Sequence, residues 1–380
     1  MSVPKIEFID LAAQRRRLGP ALDAAIREAV EGGQYILGPQ VARFERELAA
    51  FAGARHAIGL ANGTDALGIA LMTMGLRPGE AVICPSFTFA ATAEAVAWLG
   101  ATPVFVDIDP VTYNLDPSGL PRALELCARE KLTPRAVISV DLFGQTADYD
   151  AIESFCAQHG LKLICDSAQG FGATYKGKRT GQMGMLTTAS FFPAKPLGCY
   201  GDGGAIVTDD DAIADLTRSL RFHGKGSDKY DNVRIGMNSR LDTIQAAILS
   251  QKLAIFHEEI EARQIVARRY QDGLSDVAAT PRVMEGCVSV WAQYVIRVPA
   301  ASRDGFMAAM KGKGVPTNVY YPRPLHQQTA YARFPVAGNG LPVSEKASQE
   351  VVALPMHPYL DAPTQDYIVA AAREALGAKG

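Results

Sequence analysis

Residues 161–169 read LKLICDSAQ, an apolar run that stops at Asp166 and turns polar. The same grammar recurs on both sides, in AIGL (57–60), AVICP (81–85), TPVFVDID (102–109), AVISVDLFG (136–144), TTASFF (187–192) and GGAIVTDD (203–210), with longer helical patterns between them. Short strands alternating with helices predict a mostly parallel sheet with crossover helices over residues 55–210, an α/β fold. AVICP and LKLIC are nearly continuous in apolar residues, as strands are when helices cover both faces. Ligands bind such sheets outside the carboxyl ends of the strands, so the residues that follow each run carry the most weight.

Outside the sheet, residues 241–273, LDTIQAAILSQKLAIFHEEIEARQIVARRYQDG, place apolar side chains near helical spacing, lack proline and close on glycine. They predict one long helix, joining a large domain of residues 1–250 to a smaller one of residues 251–380. The smaller domain reads as α+β, with a strand in VWAQYVIRV (290–298), a helix over 303–313, a proline-punctuated loop in VPTNVYYPRPLH (315–326) and a closing helix from about Ala362. At ~150 residues per domain, a chain of 380 agrees with two or three. Hydrophobic residues make up 48% and charged residues 21%, which excludes bulk disorder and coiled coil. A formal charge of −2 gives no electrostatic case for nucleic acid or an anionic membrane, and no stretch reaches the ~18 apolar residues of a membrane helix. The opening MSVPKIEFIDLAAQRRR has no apolar signal-peptide segment, so the expected location is cytoplasmic and the expected partners are small molecules. Six scattered cysteines without CxxC predict buried thiols instead of disulfides or zinc. Six histidines without HxxxH or HExxH spacing predict no metal site.

Two look-alikes of phosphate loops fail. GATYKGK (172–178) fits GxxxxGK, but Arg179 follows where Ser or Thr would hold Mg²⁺, so it reads as a turn. GDGGA (201–205) breaks the GxGxxG spacing and precedes a strand. What remains is a set of dispersed side chains in DSAQ (166–169), SFFPAKPLG (190–198) and ANGTDAL (61–67). Lys195 follows a strand amid Pro and Gly, where a desolvated ammonium loses its proton easily and becomes a nucleophile; taken singly, it would be a solvated surface charge. Asp166 at a strand end reads either as a functional carboxylate or as a helix N-cap. Gly63, Thr64 and Asp65 open the helical pattern DALGIALMTMG, where free backbone N–H groups and the helix dipole attract an anion. The plainer reading there is a Thr N-cap, and the plainer reading of Phe89 is core.

Together with GGQYILGPQVARFE (32–45) and GMNSRLDTIQAAIL (236–249), these motifs resemble the DegT/DnrJ/EryC1 sugar aminotransferases, pyridoxal-phosphate enzymes of the aspartate-aminotransferase superfamily. The resemblance runs in order from residue 5 to about residue 360. It implies fold type I, with pyridoxal 5′-phosphate as cofactor and its pyridoxamine form as the carrier between two half-reactions. It implies Lys195 as the Schiff-base lysine and proton carrier, Asp166 as partner of the pyridine nitrogen, Gln169 near the phenolic oxygen and Phe89 stacked on the ring. Gly63, Thr64, Asp65 and Ser190 match the phosphate-binding positions. Asn238 matches an asparagine that reaches the phosphate from the other subunit, which implies a homodimer with shared sites. L-glutamate is the implied amino donor and a nucleotide-linked keto-sugar the acceptor.

Within the family, FIDL (8–11), GQYILGP (33–39), DIDPVTYNLDP (107–117), KPLGCYGDGGAI (195–206) and LPMHPYLD (354–361) are similar to enzymes that aminate C3 of UDP-2-acetamido-2-deoxy-ribo-hexuluronate in bacterial O-antigen synthesis. That likeness places Gly33 and Tyr35 at the nucleotide-sugar and Arg240, from the partner subunit, at the sugar carboxylate, which a guanidinium holds through paired hydrogen bonds. Arg240 otherwise reads as an ion pair at the start of the long helix. Two positions depart from the pattern: Ala194 stands for a serine, and Tyr320–Tyr321 stand for His-Tyr. His326, in PLHQQ, resembles a histidine of other sugar aminotransferases or else braces its loop. Three further readings stay open: amination at C3 or C4 of a dTDP-, GDP- or UDP-linked 6-deoxy keto-sugar, a non-catalytic sensor on the same fold, and a sugar 3-dehydratase, against which Lys195 argues.

Overall fold

The computed structural model describes residues 6–228 and 230–377; the outermost ends of the two expected domains, 1–5 and 378–380, lie outside the described residues. The chain opens with α1 (Leu11–Glu31), broken at Gly19–Pro20, and α2 (Pro39–Ala52). Then follow β1 (His56–Leu60), α3 (Gly63–Thr73), β2 (Glu80–Pro85), α4 (Ala91–Trp98), β3 (Thr102–Val106), α5 (Leu120–Arg129), β4 (Thr133–Val140), α6 (Tyr149–His159) and β5 (Lys162–Asp166). After the short β6 (Thr174–Tyr175) and β7 (Lys178–Arg179) come β8 (Leu186–Ser190), β9 (Gly204–Thr208) and α7 (Asp211–Leu220). The long α8 (Thr243–Leu274) leads to β10 (Cys287–Val288), β11 (Tyr294–Arg297), α9 (Ala300–Gly312), α10 (Pro342–Glu350), β12 (Val351–Leu354) and α11 (Ala362–Ala375).

All seven apolar runs read from the sequence meet in one sheet, ordered β1-β9-β8-β5-β4-β2-β3. It is parallel from β8 through β3, while β9 runs antiparallel to both of its neighbours. The reason is local: parallel pairing needs a crossover element, and the link between β8 and β9, residues 191–203, folds back without one. Because β9 reverses, β1 points the same way as β8, so the carboxyl ends of β1, β2, β4, β5 and β8 share one edge. α3 and α4 cover one face, with Ile69, Leu71, Val82 and Ile138 fully buried, and α5 and α6 cover the other around Ile83, Val137 and Ile152. Truncating any of these to alanine costs about 2–5 kcal/mol, because the surroundings only partly collapse.

A two-stranded sheet of β11 and β12, flanked by α8, α9 and α11, builds a separate core around Tyr270, Tyr294, Ile296 and Ile368. GATYKGK is the β6–β7 hairpin, turning at Lys176–Gly177, which is the turn that the missing Ser or Thr suggested. Among the described residues no helix is long and apolar enough to cross a membrane. Five cysteines are buried, Cys287 is partly exposed, and all six are free thiols.

Candidate active site

At the shared carboxyl edge lies a cavity of about 420 Å³. Its walls include Gly63, Thr64, Phe89, Asp166, Gln169, Ser190, Lys195, Tyr320 and Tyr321, which are nine of the site residues expected from sequence. Sheet topology makes this possible: Asp166 ends β5, Ser190 ends β8 and Gly63 opens α3 just past β1.

Asp166 is buried and accepts hydrogen bonds from Thr92 Oγ1 at 3.2 Å and Ala168 N at 3.2 Å. It caps no helix; an irregular turn follows it. Burial raises its carboxyl pKa, against the pull of the Ala168 N–H, Lys195 and Thr92. Lys195 sits on the 191–203 loop, its backbone N–H bonded to Phe192 O at 2.8 Å. Burial holds its amine below the ordinary lysine range, with Asp166 opposing. Burial works against the charged form of each group and each charge opposes that for the other, so a charged ligand in this cleft can decide the protonation of both. Gln169 is oriented at both ends, accepting from Phe143 N at 2.8 Å and donating to Tyr321 Oη at 2.9 Å. Behind this turn the buried Asp141 accepts from Tyr149 Oη at 2.7 Å, Ala147 N at 3.0 Å and Ser167 Oγ. Burial lifts its carboxyl to about 6.

The start of α3 is capped by Asn62, whose Oδ1 takes Asp65 N at 2.7 Å, so Thr64 is not the cap. Asn62 O takes Ala66 N, which leaves the N–H groups of Gly63 and Thr64 without a chain partner among the described residues and suited to an anion. A Cβ at residue 63 would come within 2.6 Å of Ser190 Cβ, so only glycine lets the helix start approach the Ser190 hydroxyl. Asp65 itself does not line the cavity. A helix N-terminus with two hydroxyls beside it, a buried carboxylate, a desolvated amine and a half-exposed Phe89 fit a phosphorylated, positively charged aromatic ring.

Five further expected residues lie elsewhere. Asn238 and Arg240 line an adjacent cavity of about 520 Å³, which shares Asn62 and Asp202 with the first. Arg240 makes no ion pair among the described residues, so it does not brace the long helix as the plainer reading had it; its guanidinium lies 5.1 Å from the Phe222 ring centre. Gly33 and Tyr35 stand on the α1–α2 loop that borders this second cavity through Ile36, and Tyr35 O accepts Thr243 N at 3.0 Å. His326 is not brought to either cavity. Its Nδ1 meets Ser86 Oγ at 2.7 Å and its Nε2 meets Glu345 at 3.1 Å, so the ring braces its loop between the end of β2 and α10.

Four polar cavity residues escaped the reading of the sequence. Asn62 carried a signal, an Asn directly before the helix start. Thr88, Asp202 and Gln293 also line the cavity and carried none.

The chain matches the DegT/DnrJ/EryC1/StrS aminotransferase family over residues 17–373. It is 50% identical over 369 residues to the UDP-2-acetamido-2-deoxy-3-oxo-D-glucuronate aminotransferase of Pseudomonas aeruginosa, covering 96% of this chain and 99% of that one. A solved DegT DnrJ EryC1 StrS aminotransferase from Brucella abortus superposes with a TM-score of 0.96 at 51% identity, over 98% of this chain and 100% of that one. The S. venezuelae enzyme DesV, solved in complex with a ketimine intermediate, superposes with a TM-score of 0.91 at 36% identity, over 99% and 100%. This chain belongs to the DegT/DnrJ/EryC1/StrS aminotransferase family.

Proposed function

We propose that this aminotransferase binds pyridoxal 5′-phosphate in the 420 Å³ cavity and moves an amino group from L-glutamate to C3 of a UDP-linked 2-acetamido-2-deoxy-3-keto-hexuronate. The product would feed bacterial surface-polysaccharide (O-antigen, lipopolysaccharide) synthesis, from a cytoplasmic homodimer with shared sites. The observation that carries this reading is the convergence of Lys195, Asp166 and the open start of α3 on one cavity. The substrate rests on likeness to the Pseudomonas enzyme along nearly the whole chain.

Bound there, the cofactor would supply an electron sink for charge on the carbon that carries the amine. Asp166 would keep the ring nitrogen protonated, and the N–H groups of Gly63 and Thr64, with the Thr64 and Ser190 hydroxyls, would hold the phosphate. Lys195, with its lowered pKa, would take a proton from the substrate carbon in one half-reaction and return one in the other. Phe89 and Tyr321, with ring centres 6.3 Å apart, would wall the ring side and limit water. Asn238, Arg240, Gly33 and Tyr35 lie away from this cavity in their own chain, so they would act from the partner subunit. Exposed apolar side chains at Tyr35, Ile36, Leu37 and Phe192 support such an interface.

The direct test is the absorption spectrum of the protein with pyridoxal phosphate before and after L-glutamate, with Lys195→Ala as control. A band that bleaches in the wild type with release of 2-oxoglutarate supports the reading, and the UDP-hexuronate then heads a panel of keto-sugars. A band that no amino donor bleaches points to a sensor. A second substrate reading, a neutral 6-deoxy keto-sugar, is favoured by Ala194 and Tyr320, which line the cavity where a more polar pair would suit an anionic sugar.

A further inference from the structure

Lys252 is an expensive residue where it stands. It sits on α8 with 1% of its surface exposed, facing the 191–203 loop. Burial brings its ammonium down to about 8, against the pull of Glu259 and Cys199. Replacing a buried charge with an apolar side chain of the same shape is often neutral or stabilising, so packing alone does not account for a lysine at this position. What the charge does is visible in its contacts. Nζ donates to Gly198 O at 2.5 Å and lies 4.3 Å from the centre of the Tyr200 ring.

Both partners belong to the loop that carries Lys195, and that loop transmits position. Lys195 N bonds Phe192 O at 2.8 Å, and Cys199 N bonds Phe191 O at 2.8 Å. A Cβ at residue 198 would fall 2.5 Å from Pro193 O and 2.6 Å from Phe192 O, so the backbone of Gly198 lies against the same carbonyl that receives the Lys195 N–H. Seven residues before Lys252 on α8, Gln245 accepts from Tyr200 N at 2.8 Å and donates to Tyr200 O at 3.2 Å. Seven residues after it, the buried Glu259 takes Gln14 at 2.9 Å and Tyr359 Oη. One face of α8 thus ties the lysine loop to α1 and to the segment before α11.

We propose that Lys252 is a positioning residue for Lys195: its ammonium, seated on Tyr200, fixes the Gly198 carbonyl and through it the place of the Lys195 amine relative to Asp166. The inference rests on the reading of Lys195 as the proton carrier. Displacing a reacting group by about 1 Å costs on the order of 10²-fold in rate.

The test compares Lys252→Met with Lys252→Arg and the wild type. The apparent pKa of the Lys195 amine is read in cofactor-free protein from the pH dependence of its acetylation by acetic anhydride, followed by mass spectrometry of the Lys195 peptide. Lys252→Met moves that profile by about one pH unit or more and lowers kcat about 10- to 100-fold in both half-reactions. KM for glutamate and for the keto-sugar shifts less than about threefold, and Lys252→Arg restores both readouts. An unchanged acetylation profile together with a kcat within about twofold of wild type overturns the proposal, as does a loss that Lys252→Arg fails to rescue. If Lys252→Met does not fold, Lys252→Gln, a shorter neutral donor, is judged by the same two readouts. Retained turnover in Lys195→Ala would instead overturn the reading of Lys195, and it leaves the acetylation measurement intact.

Discussion

Of the two cavities that meet at Asn62 and Asp202, the first takes its walls from strand ends and helix starts of one chain, and the second from the α1–α2 loop, residues 236–242 and the head of α8. In the first, the 166–169 turn already has its geometry: Asp166 is held by Thr92 and Ala168, Gln169 by Phe143 and Tyr321, and the turn between them by Asp141 through Ser167. In the second, Asn238 is exposed and Arg240 stands over Phe222 without a carboxylate. Catalytic groups need fixed placement before substrate arrives. Groups for substrate recognition can be delivered by a neighbour, and under the proposed function this chain would separate the two tasks spatially.

Substitutions in the first cavity have the largest effects. Lys195→Ala removes the proposed proton carrier; steady-state turnover then falls by at least roughly 10²–10⁴-fold, the range that proton transfer by a placed side chain supplies, while the melting temperature of the protein is nearly unchanged. A variant that kept more than a tenth of wild-type turnover would break the assignment of chemistry to this cavity.

Asp141 comes next, as a matter of stability. Its folded pKa of about 6 lies above the ordinary 3.8, so the folded chain holds this proton more firmly than the unfolded one. The resulting stabilisation is fully present below pH 3.8 and lost as pH rises through about 6. Relative to Asp141→Asn, which cannot ionise, the wild type therefore loses up to about 3 kcal/mol between pH 4 and pH 7. Urea unfolding of both proteins at the two pH values measures it, and a gap between them that does not change with pH would show that Asp141 is ionised throughout.

How much of this was legible before the structure follows the same division. The seven strands could be read because burial on both faces leaves apolar runs, and Asp166 and Lys195 because they stand just past such runs. Thr92 and Asp141 were not legible: they support Asp166 across 74 residues and Ser167 across 26, in an alanine-rich helix and a strand end that look ordinary by themselves. The antiparallel β9 was implicit in the helix-free link 191–203, which parallel pairing could not have used. Nothing in composition or spacing marked Gly33, Tyr35, Asn238 or Arg240, since surface loops carry no periodicity; they entered through resemblance alone.

Arg240→Ala probes the second cavity. If Arg240 holds a sugar carboxylate, its loss weakens the uronate by about 10- to 100-fold in kcat/KM, the size of a charge-assisted hydrogen-bond pair. The glutamate half-reaction, and any neutral 6-deoxy keto-sugar, stay within about threefold. An equal loss on both sugars would mean that Arg240 shapes the site instead of reading the carboxylate.

The smallest effect is the most discriminating. Lys195→Ala and Arg240→Ala are each nearly inactive on the uronate. When the two are unfolded together and refolded at equal concentration, half of the dimers pair one with the other. If Arg240 serves the partner's cavity, each mixed dimer holds one site with both Lys195 and an arginine, and one site with neither. Roughly a quarter of wild-type activity then returns. If Arg240 serves its own chain, every site in every dimer lacks one of the two groups and nothing returns. Recovery of activity would thus establish that the second cavity is half of a site completed across subunits, and its absence would place Arg240 and the bound sugar on the same chain as Lys195.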